Sequence, residues 1–504
     1  MTTTVTSNSQ SLTQKIQHSI EHPATNDEFD IDREFDAVLA DYGFSRSDLG
    51  GTIRFDGADP IVASTIRLAG ATAISLMAKS AAMAYLWQHR GGTEQDMSID
   101  LRVCPRRLCP FYEFKWELVN GLPPVALSAP NAAFSIESFY RTADGRWMMP
   151  LNPYPKLAAR TCELLQAPEE PAAVAKAIAG WNGETLEEAG AACGVVMPMV
   201  RNTTEFLKTL QYRQVLRELP LVKITKIGES DPIPLSMGAE LPLSGVRALG
   251  MGHVVAGAGI GRALALHGAD VLNLWRITEI EQQPTFFSTN VGHRSARVDP
   301  YHPQGHALIM KLLADADVFF ANRRPGYLAK IGLSAEEAAA AKPGIVYAMA
   351  NLHGGAGPWG DRVGFDQVAG SVTGIMNLEG GGDDQMPSVP PVPVVNDNLL
   401  GWLIAGGVAE ALRRRSIEGG SWRVDCSLTR TALWILSMGV FDLDYAIHTA
   451  GTGTEHAFLP PELFTADTPL GHYQGVTDQV RMSKTPGRYD PVLVPLGSCY
   501  PQWR

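Results

Sequence analysis

The residue best placed for covalent chemistry is Asp397, at the boundary between a Pro/Val-rich segment and a helix in "PPVPVVNDNLLGWLIAGG". One interpretation is that Asp397 caps this helix, because Asp and Asn are preferred at N-terminal caps. A compatible interpretation is catalytic. The helix dipole and free backbone N–H groups favour the ionised carboxylate, and an ionised carboxylate in a cleft can act as a nucleophile. Asp397 is therefore the candidate catalytic residue.

Cationic side chains form the second candidate set. They follow strand-like segments or lie close to them, and they are Arg276, Arg294, Arg297, Arg323, Arg324 and Lys330. In an open parallel sheet, residues beyond the carboxyl ends of the strands line one crevice, where several cations can bind a polyphosphate. A solvated surface explains each residue taken singly, but their joint placement favours a pocket.

A mostly parallel sheet is expected to position both sets. Strand-like segments alternate with helical ones in "VRALGMG", "AGAGIGRALALHG", "ADVLNLW", "ADVFFAN" and "GIVYAMA". This alternation predicts an α/β fold, in which a Rossmann-like large domain with a mostly parallel sheet accompanies a smaller α+β domain.

A glycine cluster follows the first of these strands, at Gly250, Gly252, Gly257, Gly259 and Gly261. A dinucleotide site is a poor fit, because Val255 occupies the third-glycine position and the next strand ends without an acidic residue to hold a ribose. Close packing between helix and strand explains these glycines about as well as ligand binding does.

The N-terminal half contains two predicted helices. In "DREFDAVLADYGF" the residues Phe35, Val38, Leu39 and Tyr42 share one face, and an apolar run over residues 63–90 predicts a buried helix that stops at Gly91-Gly92. A helix, a double glycine and a strand recur around Gly419-Gly420. Chance or duplication could produce this internal repeat, and duplication is favoured. The alignment sets Thr72 opposite Asp397, which leaves one site per chain.

Composition restricts the partners. The chain has 504 residues and a net charge of −11, which argues against a general nucleic-acid or anionic-membrane surface and favours a small-molecule partner. Six cysteines without a CxxC pair, and histidines without a ligand spacing, predict no metal. The polar N-terminus and the lack of a long apolar stretch predict a cytoplasmic protein that does not enter a membrane.

Five segments together resemble the class III CoA-transferases, a family that includes carnitine CoA-transferase-like and alpha-methylacyl-CoA racemase-like enzymes. They are "PLSGVRALGMGHVVAGAGIGRALALHGADVLNLWR", "NVGHRSARVD", "ANRRPGYLAKIGLS", "GPWGDRVGFDQVAGSVTGIM" and "PVVNDNLLGWLIAGGVAEALRRR". The resemblance implies that Asp397 is the catalytic aspartate. The candidate CoA-binding residues are Val255, Arg276, His293, Arg294, Asn322, Arg323, Arg324 and Lys330.

The chain departs from the family at several positions. His293 replaces the usual Lys, Gly250 the usual Asp and Ala258 the usual Pro, and Phe365 stands where the racemase branch has a His. The order of the family-like segments along this chain also differs from the order in the family, because the small domain precedes the Rossmann-like domain. This order indicates a fusion of two family-like units. The predicted divisions are an N-terminal arm (1–50), a degenerate half-unit of the large domain (51–130), the small domain (131–230), a linker (231–241), the Rossmann-like CoA-binding domain with the catalytic Asp (242–440) and a tail packing on it (441–504).

The predicted function is transfer of CoA from an acyl-CoA donor to a free carboxylic acid, through an aspartyl anhydride and an aspartyl-CoA thioester. An acyl-CoA racemase or lyase, which Phe365 disfavours, and a CoA-binding protein without turnover are the alternatives. Coenzyme A is expected as a substrate, without a metal. Because the family's chains interlock in pairs, the expected assembly is a homodimer.

Overall fold

The computed structural model describes residues 10–124 and 136–504. The first nine residues of the predicted arm, and the predicted boundary near residue 130, lie outside the described residues. The helices are α1 (Leu12–Glu21), α2 (Ile31–Tyr42), α3 (Leu68–His89), α4 (Pro155–Leu165), α5 (Pro171–Ile178), α6 (Gly183–Cys193), α7 (Thr203–Leu207), α8 (Ala256–Leu266), α9 (Gln283–Thr289), α10 (Pro303–Ala314), α11 (Tyr327–Lys330), α12 (Ala335–Ala341), α13 (Asp366–Thr373), α14 (Ile375–Glu379), α15 (Asn396–Glu418), α16 (Leu428–Ser437) and α17 (Leu443–Thr449). The strands are β1 (Ile53–Asp56), β2 (Met97–Asp100), β3 (Leu118–Val119), β4 (Tyr140–Arg141), β5 (Trp147–Met148), β6 (Lys223–Gly228), β7 (Arg247–Met251), β8 (Asp270–Trp275), β9 (His293–Arg297), β10 (Val318–Ala321), β11 (Val346–Asn351), β12 (Ser421–Ser427), β13 (Leu463–Thr468), β14 (Gly471–Val476) and β15 (Arg481–Met482).

A seven-stranded sheet forms the centre of the fold, in the order β6-β12-β11-β10-β7-β8-β9. Every neighbouring pair in it is parallel except β6 with β12. Met251 pairs with Ala321 and Gly250 with Asn273, so β7, β8 and β10 end at the same edge. The α/β prediction with a mostly parallel sheet is confirmed. β6 falls inside the range predicted for the small domain, yet it belongs to the large sheet.

Helices α3 and α15 pack along each other inside the chain. In α3, 18 of 22 residues are buried, and in α15, 18 of 23 are buried, so both helices are enclosed on all sides. The prediction of a buried helix that stops before Gly91, whose φ is +87°, is confirmed. The large hydrophobic core contains residues of both helices.

The predicted apolar face of α2 is also confirmed, since its buried residues are Phe35, Val38, Leu39 and Tyr42. The Tyr42 hydroxyl donates to the Leu403 carbonyl at 2.9 Å, within α15. Gly406 permits this approach, because a Cβ there would lie 2.4 Å from the Tyr42 oxygen. The N-terminal helices are therefore anchored on the helix that begins at Asn396.

Two further parts of the chain pack beside the sheet. Residues between β4 and α7 have a separate hydrophobic core that includes Met148, Ile178, Leu186 and Met199. The C-terminal segment runs along β9, where the Cys499 N–H donates to the Ser295 carbonyl at 2.8 Å. Among the helices of the described part of the chain, none combines the length and the apolar character that crossing a membrane requires.

Candidate active site

Asp397 is the second residue of α15, and only 7% of its surface is exposed. It does not cap its own helix: the N-cap residue is Val395, and its side chain makes no capping hydrogen bond. Asp366, the first residue of α13, caps α15 instead. The Asp397 N–H donates to Asp366 Oδ2 at 2.7 Å, and Asn396 Nδ2 donates to Asp366 Oδ1 at 3.2 Å.

The Asp397 carboxyl group itself accepts no hydrogen bond from the residues that the structure describes, 10–124 and 136–504. Burial, followed by the charge of Asp366, raises the pKa of Asp397 well above its ordinary value. This differs from the expectation that the helix N-terminus keeps Asp397 ionised. The difference arises because the nearest N–H groups bind Asp366 and the site is removed from water.

Asp366 is also perturbed. Burial raises its pKa to about 6, although the Asp397 N–H and the Asn396 amide stabilise its ionised form. Burial and the repulsion between the two carboxylates therefore favour a single negative charge on the pair, held by Asp366, with the proton on Asp397. Deprotonation of Asp397 is then part of making a nucleophile at this site.

Aromatic side chains from two parts of the chain stack on each other next to Asp366 in the sequence. Tyr154, immediately before α4, stacks on Phe365, with ring centroids 6.1 Å apart and planes at 24°. The Tyr154 hydroxyl donates to Glu281 Oε1 at 2.8 Å. Burial and Glu281 raise the pKa of Tyr154, and the charge of Asp397 contributes as well. The small domain thus reaches the candidate nucleophile within one chain.

The N-terminus of α8 lies beside that of α15. Gly401 allows the close approach, since a Cβ there would lie 3.3 Å from the Ala256 carbonyl oxygen. Val255 is the N-cap residue of α8 and is buried. The preceding Val254 has φ +48°, a strained conformation for a β-branched residue. The Val254 N–H donates to Glu281 Oε2 at 2.8 Å, and this hydrogen bond stabilises the loop beside the site in this conformation.

The glycine cluster is explained largely by packing. A Cβ on Gly252 would lie 2.5 Å from the Gly257 carbonyl carbon, and one on Gly257 would lie 2.2 Å from Asn322 Oδ1. A Cβ on Gly261 would meet His293 at 2.5 Å, whereas Gly259 has nothing within 4 Å. These contacts place the end of β7 directly against the first turn of α8.

Three of the predicted CoA-binding residues converge at the carboxyl edge of the sheet. Arg276 Nε contacts Glu279 at 2.8 Å, and Arg323 contacts the same carboxylate at 2.5 Å. Tyr327 lies 5.7 and 5.4 Å from the two guanidinium groups. Asn322 is adjacent, where its amide exchanges two hydrogen bonds with the backbone of the loop before α8.

Glu279 holds this cationic cluster together. Its burial opposes ionisation, but His253 and Arg323 outweigh that effect and lower the pKa of Glu279 far below its ordinary value. His253 Nε2 lies 3.2 Å from Glu279 Oε1. An incoming phosphate at this edge would therefore meet two guanidinium groups that one carboxylate has already oriented.

Two other predicted residues lie near the same edge. Arg324 is exposed, and its NH1 donates to the Gly194 carbonyl of the small domain at 3.3 Å. Loss of solvation against the small domain, followed by the charge of Arg160, lowers the pKa of Arg324. Lys330 ends α11 and is exposed.

His293 and Arg294 lie elsewhere, in contrast to the prediction that they line the crevice. They begin β9, and because β8 and β9 are parallel, they lie at the opposite, amino edge of the sheet from Arg276. Arg294 forms a bidentate ion pair with Asp270, with both contacts at 2.9 Å. His293 is fully buried, and burial lowers its pKa to about 3. Both residues stabilise packing in this structure.

Sequence reasoning missed three residues of the site, namely Asp366, Tyr154 and Glu281. Tyr154 lies in "NPYPK", which signals only a helix start, and Glu281 lies 127 positions further along the chain. Thr72, which the internal repeat aligns with Asp397, is buried and donates to the Leu68 carbonyl of its own helix. Within residues 10–124 and 136–504, no group of three or more His, Cys, Asp or Glu side chains could hold a metal ion.

Comparison with known proteins adds to this picture. Residues 243–489 match the family model for CoA-transferase family III. An acyl-CoA transferase from Fusarium pseudograminearum is 27% identical over 240 residues, which cover 44% of this chain and 52% of that protein. A succinyl-CoA:glutarate CoA-transferase from Mus musculus is 30% identical over 199 residues, which cover 37% of this chain and 45% of that protein. The chain thus spans about half the length of the curated relatives it matches.

Solved structures give a similar partial match. A CAIB/BAIF family protein from Brucella suis is 27% identical in sequence, and the alignment covers 39% of this chain and 56% of that one, with a TM-score of 0.36. Among the curated relatives, a succinyl-CoA–L-malate CoA-transferase alpha subunit from Chloroflexus aurantiacus is 28% identical over 222 residues, which cover 41% of this chain and 52% of the subunit.

Proposed function

We propose that the chain, whose residues 243–489 match the family model for CoA-transferase family III, transfers CoA from an acyl-CoA to a free carboxylic acid. Asp397 is the proposed nucleophile. The observation that carries the proposal is the buried Asp397 carboxyl group, which no described residue hydrogen-bonds, beside the N-terminus of α8 at the carboxyl edge of the sheet. A carboxyl group without a structural partner is available to bond to an acyl carbon.

The proposed reaction is a sequence of acyl transfers. The Asp397 carboxylate attacks the thioester carbonyl of the donor, which releases CoA thiolate and leaves a mixed anhydride. The thiolate attacks the aspartyl carbonyl of that anhydride, which releases the donor acid and forms an aspartyl-CoA thioester. The acceptor carboxylate displaces the thiolate, and the thiolate then attacks the acceptor carbonyl, which gives the new acyl-CoA and restores Asp397.

Binding of the CoA portion is proposed at the carboxyl edge. Arg276 and Arg323 present guanidinium groups suited to phosphate oxygens, and Tyr327 offers an aromatic face beside them. The free N–H groups of α8, which begins after Val255, add a favourable dipole for anions. A thioester reaching from this edge toward α15 would meet Asp397 under the Tyr154–Phe365 pair.

The decisive experiment is chemical trapping. Incubation with an acyl-CoA and hydroxylamine should convert Asp397 to a hydroxamate, which peptide mass spectrometry locates. Asp397→Asn should abolish the adduct and lower turnover at least ~10³-fold, whereas the exposed Asp384→Asn should retain both. Undiminished turnover in Asp397→Asn would refute the proposal.

The same samples separate the alternatives. A racemase or lyase would exchange the α-proton of the acyl group with solvent deuterium and leave no adduct on Asp397. Phe365 stacks on Tyr154 and offers no base for that step. A CoA-binding protein without turnover would give neither signal.

Assembly and location belong to the same proposal. We expect a homodimer in the cytoplasm, although the small-domain residue Tyr154 and Asp397 already meet within one chain. Light scattering after size-exclusion chromatography measures the assembly, and fractionation of the producing cell locates the protein.

A further inference from the structure

Arg107, in the segment that follows β2, is a buried arginine with only 3% of its surface exposed. Its Nε and Nη1 atoms are buried and have no hydrogen-bond partner among residues 10–124 and 136–504, and Nη2, which has none either, is not sealed from solvent. Each of the other buried arginines in this part of the chain donates at least one side-chain hydrogen bond. They are Arg67, Arg90, Arg201, Arg262, Arg294 and Arg415. Residues 1–9 and 125–135 contain no acidic side chain. Arg107 is therefore a buried cation without a counter-ion.

The charged groups around Arg107 do not compensate it. Burial, followed by the charge of Arg262 in α8, lowers the pKa of Arg107 to about 10, so the guanidinium stays protonated at neutral pH. Glu117 is the acidic group that acts on it, but the Glu117 carboxylate is engaged elsewhere. Its Oε1 lies 3.6 Å from Arg262 Nη1 and accepts from the Ser288 hydroxyl at 3.1 Å. An unpaired buried cation is costly, and an anionic ligand would remove that cost.

The segment that carries Arg107 is held against the start of α15. The Leu108 carbonyl accepts from Asn398 Nδ2 at 2.7 Å, and Asn398 directly follows Asp397. The Arg107 guanidinium packs over the Trp402 ring, 5.9 Å from its centroid. Trp402 follows Asp397 by five residues, which is about 7.5 Å along the helix axis. The guanidinium thus lies beyond the reacting carboxyl group, where the far end of an acyl chain would be.

A space adjoins α8 and α15 at this point. Ten of the eleven residues of α8 are buried, and the exception is Gly259, where a Cβ would have no atom within 4 Å. Gly401, one turn after Asp397, packs against it, since a Cβ on Gly401 would lie 3.4 Å from the Gly259 carbonyl carbon. The Asp397 carboxyl oxygens make no hydrogen bond and are not sealed from solvent. Arg262, the cation that acts on Arg107, lies three residues after Gly259, on the same side of α8. The opening at Gly259 is therefore the route by which a ligand reaches Asp397 with one end and Arg107 with the other.

We infer that Arg107 binds a second carboxylate on the acyl group, so that the chain prefers the acyl groups of dicarboxylic acids. The inference rests on the proposed function and names its substrate class. A guanidinium binds a carboxylate through charge-assisted hydrogen bonds, and the ligand would supply the counter-ion that the protein does not. The acyl chain would lie along the first one and a half turns of α15.

Binding of two matched thioethers tests the inference without turnover. S-pentyl-CoA and S-(4-carboxybutyl)-CoA share the CoA portion and the chain length and differ in one terminal carboxylate. Isothermal titration of the full chain should give the carboxylated analogue at least a ~10-fold lower Kd, the factor expected from hydrogen bonds between charged groups. Equal affinities, or tighter binding of S-pentyl-CoA, would overturn the inference. Absence of binding by both analogues would overturn the inference and the proposed function together.

Arg107→Met assigns the preference to the guanidinium. The variant should lose the preference for the carboxylated analogue and keep the Kd of S-pentyl-CoA. Urea unfolding should show no loss of stability, because Met replaces an unpaired buried charge. A preference that survives the substitution, or a variant that no longer folds, would overturn the inference. Equal weakening of both analogues would mean that Arg107 binds a phosphate of CoA, which overturns it as well.

Arg323→Ala is the matched control, because it removes a guanidinium from the carboxyl edge of the sheet. It should weaken both analogues equally and keep the ratio of their dissociation constants, whereas loss of the ratio would place the preference at that edge and refute the role of Arg107. Because thioethers cannot react, the two proposals fail separately. A carboxylate preference without hydroxamate formation on Asp397 would refute the proposed transfer and leave this inference intact, and hydroxamate formation with equal affinities would do the reverse.

Discussion

Replacement of Asp366 by Asn removes one charge from the buried carboxyl pair and keeps the shape of the side chain. The folded chain raises the pKa of Asp366 from 3.8 to about 6 through burial. Over this interval the folded state binds more protons than the unfolded state, so the stability from this group is present at low pH and is lost as the pH rises. One pKa unit corresponds to 1.36 kcal/mol, so the full loss is about 3 kcal/mol.

Urea unfolding of wild type and Asp366→Asn, at about pH 4.5 and about pH 7.5, measures this loss. Subtracting the two proteins cancels the other carboxyl groups except Asp397, whose pKa falls when the Asp366 charge is removed. Wild type should therefore lose at least about 2 kcal/mol more than the variant across this range, of which about 2 kcal/mol comes from Asp366 itself. The pH at which hydroxylamine trapping of Asp397 begins should also fall in the variant, because Asp366 raises the pKa of Asp397. Parallel stability curves, together with an unchanged trapping profile, would refute the electrostatic account.

Two matched pairs of variants test the rest of the site. Arg323→Ala should raise the KM for an acyl-CoA roughly 10-fold with little change in kcat. Arg294→Ala should leave the KM unchanged and lower the free energy of unfolding by about 3 kcal/mol. The reverse pattern would contradict the assignment of Arg294 to the amino edge of the sheet. Gly257→Ala should destabilise the chain by about 2 kcal/mol in urea unfolding, because its Cβ would meet Asn322 at 2.2 Å. Gly259→Ala, with open space around it, should stabilise α8 by up to about 1 kcal/mol, and equal effects of the two substitutions would argue against the packing explanation.

Periodic patterns identified the elements of this fold well. The face of α2, the buried α3 and the alternating strands follow from spacing and composition, because such patterns reflect local burial. The placement of β6 in the large sheet did not follow, since an edge strand pairs with a strand almost 200 positions away. Pairing over that distance depends on tertiary contacts.

The site was only partly readable for a similar reason. Asp397 was identifiable as an acidic residue at the start of a helix, but its capping partner Asp366 belongs to another helix. Which edge Arg294 occupies depends on whether β9 begins or ends near it, and the sequence pattern does not fix this. The protonation of Asp397 depends on burial by distant segments, which single-sequence reasoning does not supply.

The contact between Tyr154 and Phe365 joins residues more than 200 positions apart in one polypeptide. The two walls of the cleft are thus held at a fixed effective concentration by covalent linkage, however dilute the protein becomes. Formation of this contact is therefore a first-order event in the folding of each molecule.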